Sequence, residues 1–380
     1  MGLAELTRNA VDLLPKGALE QKLALGRPLR VKLGIDVTSP DIHVGRAVPL
    51  QRMRAFQDEG HVGVLIIGDY TTRIGDPSGR SAERPVLTDE EIESNAQTYM
   101  EQAMIILDPD RTEVRYNGEW LSRLSYAEVV RLARTITVAR ILERDDFAKR
   151  YAAQEPISVS ELLYPLMQAY DSVAIEADVE LGGTDQLYNL LAGRDVMEAY
   201  GLDPQVVLTT PLLLSWDGEK MSSSVGNNIP LTAPAEEQFG RTMRISDDQL
   251  PEWYRLVLQE SAPDGDPLEA KLRLARFIVA RSHGEEAATA AEAHFTRVVR
   301  EGLAPEDVPE APLQAGDPVH LPAVLKDVFG MSTSEARRLI EQGGVKVGDE
   351  VVRELDLPRS QVENALVQAG KRRFVRLTPP

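Results

Sequence analysis

The run Val62-Gly63-Val64-Leu65-Ile66-Ile67-Gly68-Asp69 has no polar face to turn toward water. A strand apolar on both sides must be covered on both sides, which is the condition of a strand inside a parallel sheet. Ahead of it, Leu29–Ile35 reads as a second short strand. Between the two, residues 47–60 read as a helix with apolar Val48, Leu50, Met53 and Phe56. Strand, helix and strand make an α/β unit. The turn that opens the helix is Asp36-Val37-Thr38-Ser39-Pro40-Asp41-Ile42-His43-Val44-Gly45-Arg46. A helix starting near His43 points its free N–H groups and positive dipole end above the sheet. Gly45 leaves the helix surface bare, so a flat group such as a purine can approach the backbone. A histidine on the first turn can donate to a phosphate. Local geometry therefore predicts a phosphate site.

Further strands are expected at Glu113–Tyr116, within 172–181, and at Gln205–Leu214. A helix is expected over 88–107, with Thr88 as cap and Glu91 as its reciprocal partner. Others are expected over 125–134, 137–150 and 158–171, and residues 1–28 read as a helical leading arm. In the helix at 158–171, spacings of four and three put Tyr164, Gln168 and Asp171 on one face. Four polar, glycine-bearing loops follow strands: the one opened by Asp36, Gly75-Asp76-Pro77-Ser78-Gly79 with Arg80 and Arg84, Gly182-Gly183-Thr184-Asp185-Gln186, and residues 216–228. Loops after parallel strands gather on one sheet edge, where open α/β sheets bind ligands. Singly, each feature has a plainer reading: a helix-start histidine, a turn, a solvated loop. Convergence of all four on one edge is what argues for a site.

A chain of 380 residues suggests two or three domains. Residues 232–302 look helical, 303–316 form a Pro- and acid-rich linker, and 317–380 make a small domain. That small domain shows a helix closed by Gly343-Gly344, a hairpin over 345–352 and a basic end at Lys371–Arg376. The net charge of −18 argues against general nucleic-acid affinity but allows one local basic face. There is no cysteine, and the five histidines are scattered, so no metal-ligand cluster is expected. No apolar run is long enough to span a bilayer, and a cytoplasmic protein is expected.

The ordered set of motifs resembles the bacterial tyrosyl-tRNA synthetases, a class I aminoacyl-tRNA synthetase family, from about Leu29 to Leu377. His43-Val44-Gly45-Arg46 matches the family's His-Ile-Gly-His signature, and Lys220-Met221-Ser222-Ser223-Ser224 its Lys-Met-Ser-Lys-Ser. Tyr164-x-x-x-Gln168-Ala169-Tyr170-Asp171 and Gly182–Gln186 mark the tyrosyl branch. The resemblance implies a Rossmann-like parallel-sheet catalytic domain (1–231), then an α-helical domain, then a small α+β RNA-binding domain. It implies ATP and L-tyrosine as substrates, Mg2+ carried on the ATP phosphates with no protein-held metal, tRNA(Tyr) as partner, and a homodimer.

By the same resemblance, His43 and Thr38 hydrogen-bond the departing phosphates, and Arg46 reaches phosphate or ribose. Gly34, Asp36, Gly45, Gly183 and Asp185 frame the adenosine. Arg80, Arg84, Lys220 and the 220–224 loop with Met221, Ser222, Ser223 and Ser224 clamp pyrophosphate. Tyr164, Gln168 and Asp76 hold the substrate ammonium, Gln186 its carboxylate, and Asp171 the phenol; Lys32 lies in the tyrosine pocket, against the phenol or Asp171. Arg337, Arg338, Lys346, Lys371, Arg372, Arg373 and Arg376 form the tRNA face. Arg46, Ser223, Lys32 and Glu180 depart from the usual His, Lys, Tyr and Gln. The rivals are a tryptophan-specific member of the fold, a nucleotidyltransferase for a small metabolite, and a non-catalytic RNA-binding paralogue.

Overall fold

The computed structural model describes residues 2–77, 87–223, 225–305, 308–314, 316–370 and 373–379. Arg80, Arg84, Ser224, Lys371 and Arg372 lie outside them. The chain forms two compact units, one of residues 1–234 and 241–282, the other of 235–240 and 283–380.

The first unit is built on a six-stranded sheet. Its strands are β1 (Asp12–Leu14), β2 (Arg30–Ile35), β3 (Val62–Ile67), β4 (Thr112–Tyr116), β5 (Val179–Gly183) and β6 (Val206–Thr210), in the order β1-β6-β5-β2-β3-β4. β6, β5, β2, β3 and β4 run parallel. Val64, Leu65, Ile66 and Ile67 of β3 are buried, as an apolar run between two neighbours demands. Helix Val44–Asp58 buries Val48, Leu50, Met53 and Phe56. Helix Asp89–Ala103 begins at Thr88 with the reciprocal Thr88–Glu91 cap.

Three expectations are corrected. The leading arm is only partly helical: Asp12–Leu14 forms β1, antiparallel to β6, and Asp12 accepts from the Thr209 hydroxyl at 2.5 Å. Leu13 in that strand faces the core, a pattern too short to show as alternation. The helix expected over 158–171 runs to Ile175, because Ser172 and Ile175 continue its buried stripe, and it ends at Glu176 in the left-handed region. The helix expected over 137–150 is two, Val138–Ile141 and Asp145–Ala152, parted at Leu142–Arg144.

The second unit carries a five-stranded sheet of β7 (Glu310–Pro312), β9 (Val345–Val347), β10 (Glu350–Val352), β12 (Leu366–Ala369) and β13 (Arg373–Thr378), ordered β10-β9-β12-β13-β7. β8 (Val319–His320) and β11 (Asp356–Leu357) pair separately. The hairpin expected at 345–352 is β9–β10, turning at Gly348 with φ +61°. Part of the stretch read as a linker is ordered, since Glu310–Pro312 adds in parallel to β13. Helices Leu321–Phe329 and Thr333–Glu341 bury Leu321, Leu325, Ala336 and Ile340 with Val345, Val347, Val367, Val375 and Leu377 of the sheet. Among the described residues no helix is long and apolar enough to cross a membrane.

Candidate active site

The loops after β2, β3, β4, β5 and β6 surround one cleft of about 770 Å³. Gly34, Asp36, Thr38, His43, Gly45, Arg46, Asp76, Tyr164, Gln168, Asp171, Gly183, Asp185, Gln186, Lys220, Met221, Ser222 and Ser223 all line it. Residues up to 189 apart in sequence thus meet at the carboxyl edge of one sheet, as the position of the strands requires.

At one end, His43 is the N-cap of helix Val44–Asp58. Its Nδ1 accepts from the Arg46 backbone N–H at 3.3 Å. Burial, with Arg46 and Lys220 adding to it, pushes His43 down to about 3. The imidazole is therefore neutral, and with Nδ1 accepting, Nε2–H is the donor. A side chain at Gly45 would come within 3.2 Å of that ring and 3.3 Å of the Met221 sulfur. The Arg46 guanidinium donates to the Tyr99 hydroxyl, so helix Asp89–Ala103 holds it at the cleft wall.

The loop bearing Lys220 is tied to this helix start. Val44 N–H donates to Ile229 O at 2.9 Å, and Leu231 N–H to Ile42 O at 2.8 Å. Asn227 accepts from Ser222 N–H at 2.8 Å and donates to Asp217 at 2.9 Å, and Asn228 donates to Ser223 Oγ at 3.2 Å. Met221 is buried beneath. Lys220 is exposed and reaches Asp185 at 2.5 Å.

The other end is deep. Tyr164 donates to Asp36 Oδ2 at 2.9 Å, and Thr71 donates to Asp36 Oδ1 at 2.8 Å. A side chain at Gly68 would lie 2.4 Å from both Asp36 Oδ1 and Thr71 Oγ1, so only glycine admits that contact. Gln186 donates to Asp76 Oδ2 at 2.7 Å, and Asn189 donates to Gln186 Oε1 at 3.1 Å. Asp171 is buried, and accepts from the Trp120 indole N–H at 2.8 Å and from Asn117 at 3.3 Å. Burial pushes its carboxyl up to about 7, against the pull of Lys32 and of these two donors.

Lys32 is the expectation that geometry revises. Its ammonium does not line the cleft: it lies fully buried, donating to Gln168 O at 2.8 Å and Ser172 Oγ at 2.7 Å, 2.8 Å from Glu180 Oε1. Its ion-pair partner is Glu180 rather than Asp171, whose carboxyl it influences only through its charge. Asn117, Trp120, Thr71 and Tyr99 escaped the sequence reading. Asn117-Gly118 directly after β4 is the same strand-end signal as the other loops. Trp120 and Tyr99 lie inside helices, where no motif marks them.

In the second unit Arg337, Arg338, Lys346, Arg373 and Arg376 are exposed. Register puts Lys346, Gln368 and Phe374 opposite one another, and hence on the face away from Val345, Val367 and Val375. Arg376, two residues beyond Phe374, shares it. Arg373 lies 3.9 Å from Glu335. Phe374 is buried and so packs. Among the described residues no group of three His, Cys, Asp or Glu could hold a metal.

Residues 24–300 match the model for class I tRNA synthetases of the W and Y group. Among curated proteins, tyrosine--tRNA ligase of Ralstonia nicotianae is 48% identical, over 98% of this chain and 99% of its own. Those of Moorella thermoacetica and Thermotoga maritima are 47% and 46% identical, each over 98% of this chain and over 94% and 96% of theirs. Tyrosyl-tRNA synthetase of Archaeoglobus fulgidus, solved with L-tyrosine, shares the fold with a TM-score of 0.64 at 23% identity, over 76% of this chain and 98% of that one. With helix-start histidine, buried carboxylate and exposed loop lysine on one cleft and matches across nearly the whole sequence, the chain belongs to the class I tRNA synthetases of the tryptophan and tyrosine group.

Proposed function

We propose that this protein is a tyrosine--tRNA ligase. It joins the L-tyrosine carboxylate to the α-phosphorus of ATP, releasing pyrophosphate, and then passes the tyrosyl group to a ribose hydroxyl of the terminal adenosine of tRNA(Tyr), releasing AMP. The observation that carries this is the gathering of His43, Asp171 and Lys220 on one cleft. Neither step needs a protein nucleophile. What is needed is alignment of two bound reactants and donors for the charge growing on the phosphates. The cleft supplies such donors in the neutral His43 Nε2–H, the Thr38 hydroxyl and Lys220; Arg80 and Arg84, outside the described residues, are assigned to the phosphates by sequence resemblance. Mg2+ enters with ATP.

Asp171 at the floor takes the phenolic O–H. Tyr164, Gln168 and Asp76 receive the ammonium, and Gln186 the carboxylate. Gly34, Asp36, Gly45, Gly183 and Asp185 frame the adenosine. Lys220 then exchanges Asp185 for phosphate. A phenylalanine bound here would leave the Asp171 carboxyl without its ligand partner, which favours tyrosine far more than the loss of a methylene would. Tryptophan carries an indole N–H that can also donate to Asp171, so the preference for tyrosine over tryptophan rests on the full-length likeness to tyrosine--tRNA ligases.

The exposed basic groups of the second unit, with Lys371 and Arg372, are the tRNA face. Large exposed apolar side chains concentrate at Tyr126, Val138, Tyr151 and Val159, which suits a homodimer contact in that segment. A cytoplasmic location fits the tRNA substrate. Exchange of pyrophosphate into ATP, run with tyrosine, with tryptophan and with no amino acid, tests the reading. Tyrosine alone should drive it; exchange with tryptophan, or none at all, overturns it.

A further inference from the structure

Beneath the cleft lies a buried ionic cluster that no step above uses. Lys32 on β2 and Glu180 on β5 are neighbours in the parallel register, and both side chains are buried. Glu180 is the acceptor for four donors. Oε1 lies 2.8 Å from Lys32 Nζ and 3.3 Å from Gln168 Nε2. Oε2 accepts from the Gln205 amide, and from Ser172 Oγ at 3.4 Å. Lys32 in turn donates to Gln168 O and Ser172 Oγ. Residues 168 and 172 bracket the helical turn that presents Gln168 and Asp171 to the cleft.

A buried ion pair is a poor stabiliser, because desolvation offsets most of the attraction. Its geometry here has a different consequence. Glutamine has one acceptor end and one donor end. With its NH2 held by Glu180, Gln168 must turn its carbonyl oxygen toward the cleft. That is the pose that accepts from an ammonium; the flipped amide would set N–H against N–H3⁺. We infer that Lys32 and Glu180 are positioning residues that lock the Gln168 amide in its acceptor pose and so read the α-ammonium of the amino-acid substrate. The inference rests on the reading of this cleft as the tyrosine site.

Lys32→Met/Glu180→Leu tests it. Both buried charges go together, and the Gln168 NH2 loses the carboxylate oxygen that fixes which end of the amide faces the cleft. Tyrosine and 3-(4-hydroxyphenyl)propanoate, which lacks only the ammonium, are compared as ligands by calorimetry, alongside tyrosine-dependent pyrophosphate exchange. The expected result is about tenfold weaker tyrosine binding with the des-amino ligand changed less than threefold, and a raised KM for tyrosine with kcat and the KM for ATP little altered. Equal weakening of both ligands means a merely structural role and overturns the inference, as does unchanged binding of both. Should Lys32→Met/Glu180→Leu fail to fold, Lys32→Met/Glu180→Met also removes both charges and the acceptor for Gln168, and carries the same comparison. If the wild-type protein exchanges no pyrophosphate with tyrosine, the function itself falls, whatever the variants do.

Discussion

The two ends of the cleft are built differently. At the floor, Asp171, Asp36, Gln168 and Gln186 are each held by at least one protein partner at 3.3 Å or less. At the rim, Lys220 is exposed and its pair with Asp185 is formed in water-accessible space, where an ion pair contributes little. A floor with its groups already oriented discriminates between similar molecules, because a wrong ligand leaves buried groups unpaired. A rim with loosely committed cations suits phosphates whose charge and position change along the reaction. On the proposed function, selection and chemistry occupy opposite ends of one groove.

This division can be broken by experiment. The largest effect is expected at Asp171. Asp171→Ala should lower tyrosine kcat/KM by several orders of magnitude, the range for lost polar recognition in a buried site, of which tyrosine-specific synthetases are themselves the known instance. A kcat/KM within threefold of wild type would remove the floor from the account. Next, Lys220→Ala should lower kcat for pyrophosphate exchange by about 10²-fold, as loss of one transition-state donor does, and leave the KM for tyrosine nearly unchanged. If the KM for tyrosine rose as far as kcat fell, the ends would not be separate. Trp120→Phe removes one donor to the Asp171 carboxylate and should raise the KM for tyrosine about tenfold.

The smallest effect is in pH. With Asp171 pushed up to about 7, tyrosine kcat/KM should fall as pH drops below about 7, because a protonated carboxyl is a weaker, uncharged acceptor for the phenolic O–H. The neutral His43, held near 3, does not titrate in that window, so His43→Asn should keep the acid limb while Asp171→Asn removes it. Stability runs the other way. A carboxyl raised from 3.8 to about 7 by folding contributes stability that is fully present below the unfolded value and is lost progressively as pH rises through about 7. At pH 8 Asp171→Asn should therefore melt higher than wild type, by scanning calorimetry, while binding tyrosine worse.

The α/β class, the parallel strands and the edge that carries the site were legible because each rests on local chemistry. The β3 run has no polar face, and Tyr164, Gln168 and Asp171 keep helical spacing. Strand β1 was not legible: three residues are too few to show a period, and pairing with Thr209 decides them. The break at Leu142–Arg144 follows from Arg144 turning inward to Asn189 at 3.0 Å and Asp146 at 2.7 Å, a tertiary event. The supporting shell was equally hidden. Trp120 carries no motif, Asn117 shows only as a strand-end Asn-Gly, and Lys32 reads as a polar oddity in an apolar strand until Glu180 is placed beside it.

One backbone detail sets a limit on how the rim can respond to nucleotide. Because Ile229–Leu231 is laced to Ile42–Val44, the segment bearing Lys220 and the first turn of the His43 helix share a common anchor. The ribbon that follows the Lys220 loop is therefore fixed to the backbone that carries the imidazole, and the two catalytic-edge segments keep their spacing through paired main chain.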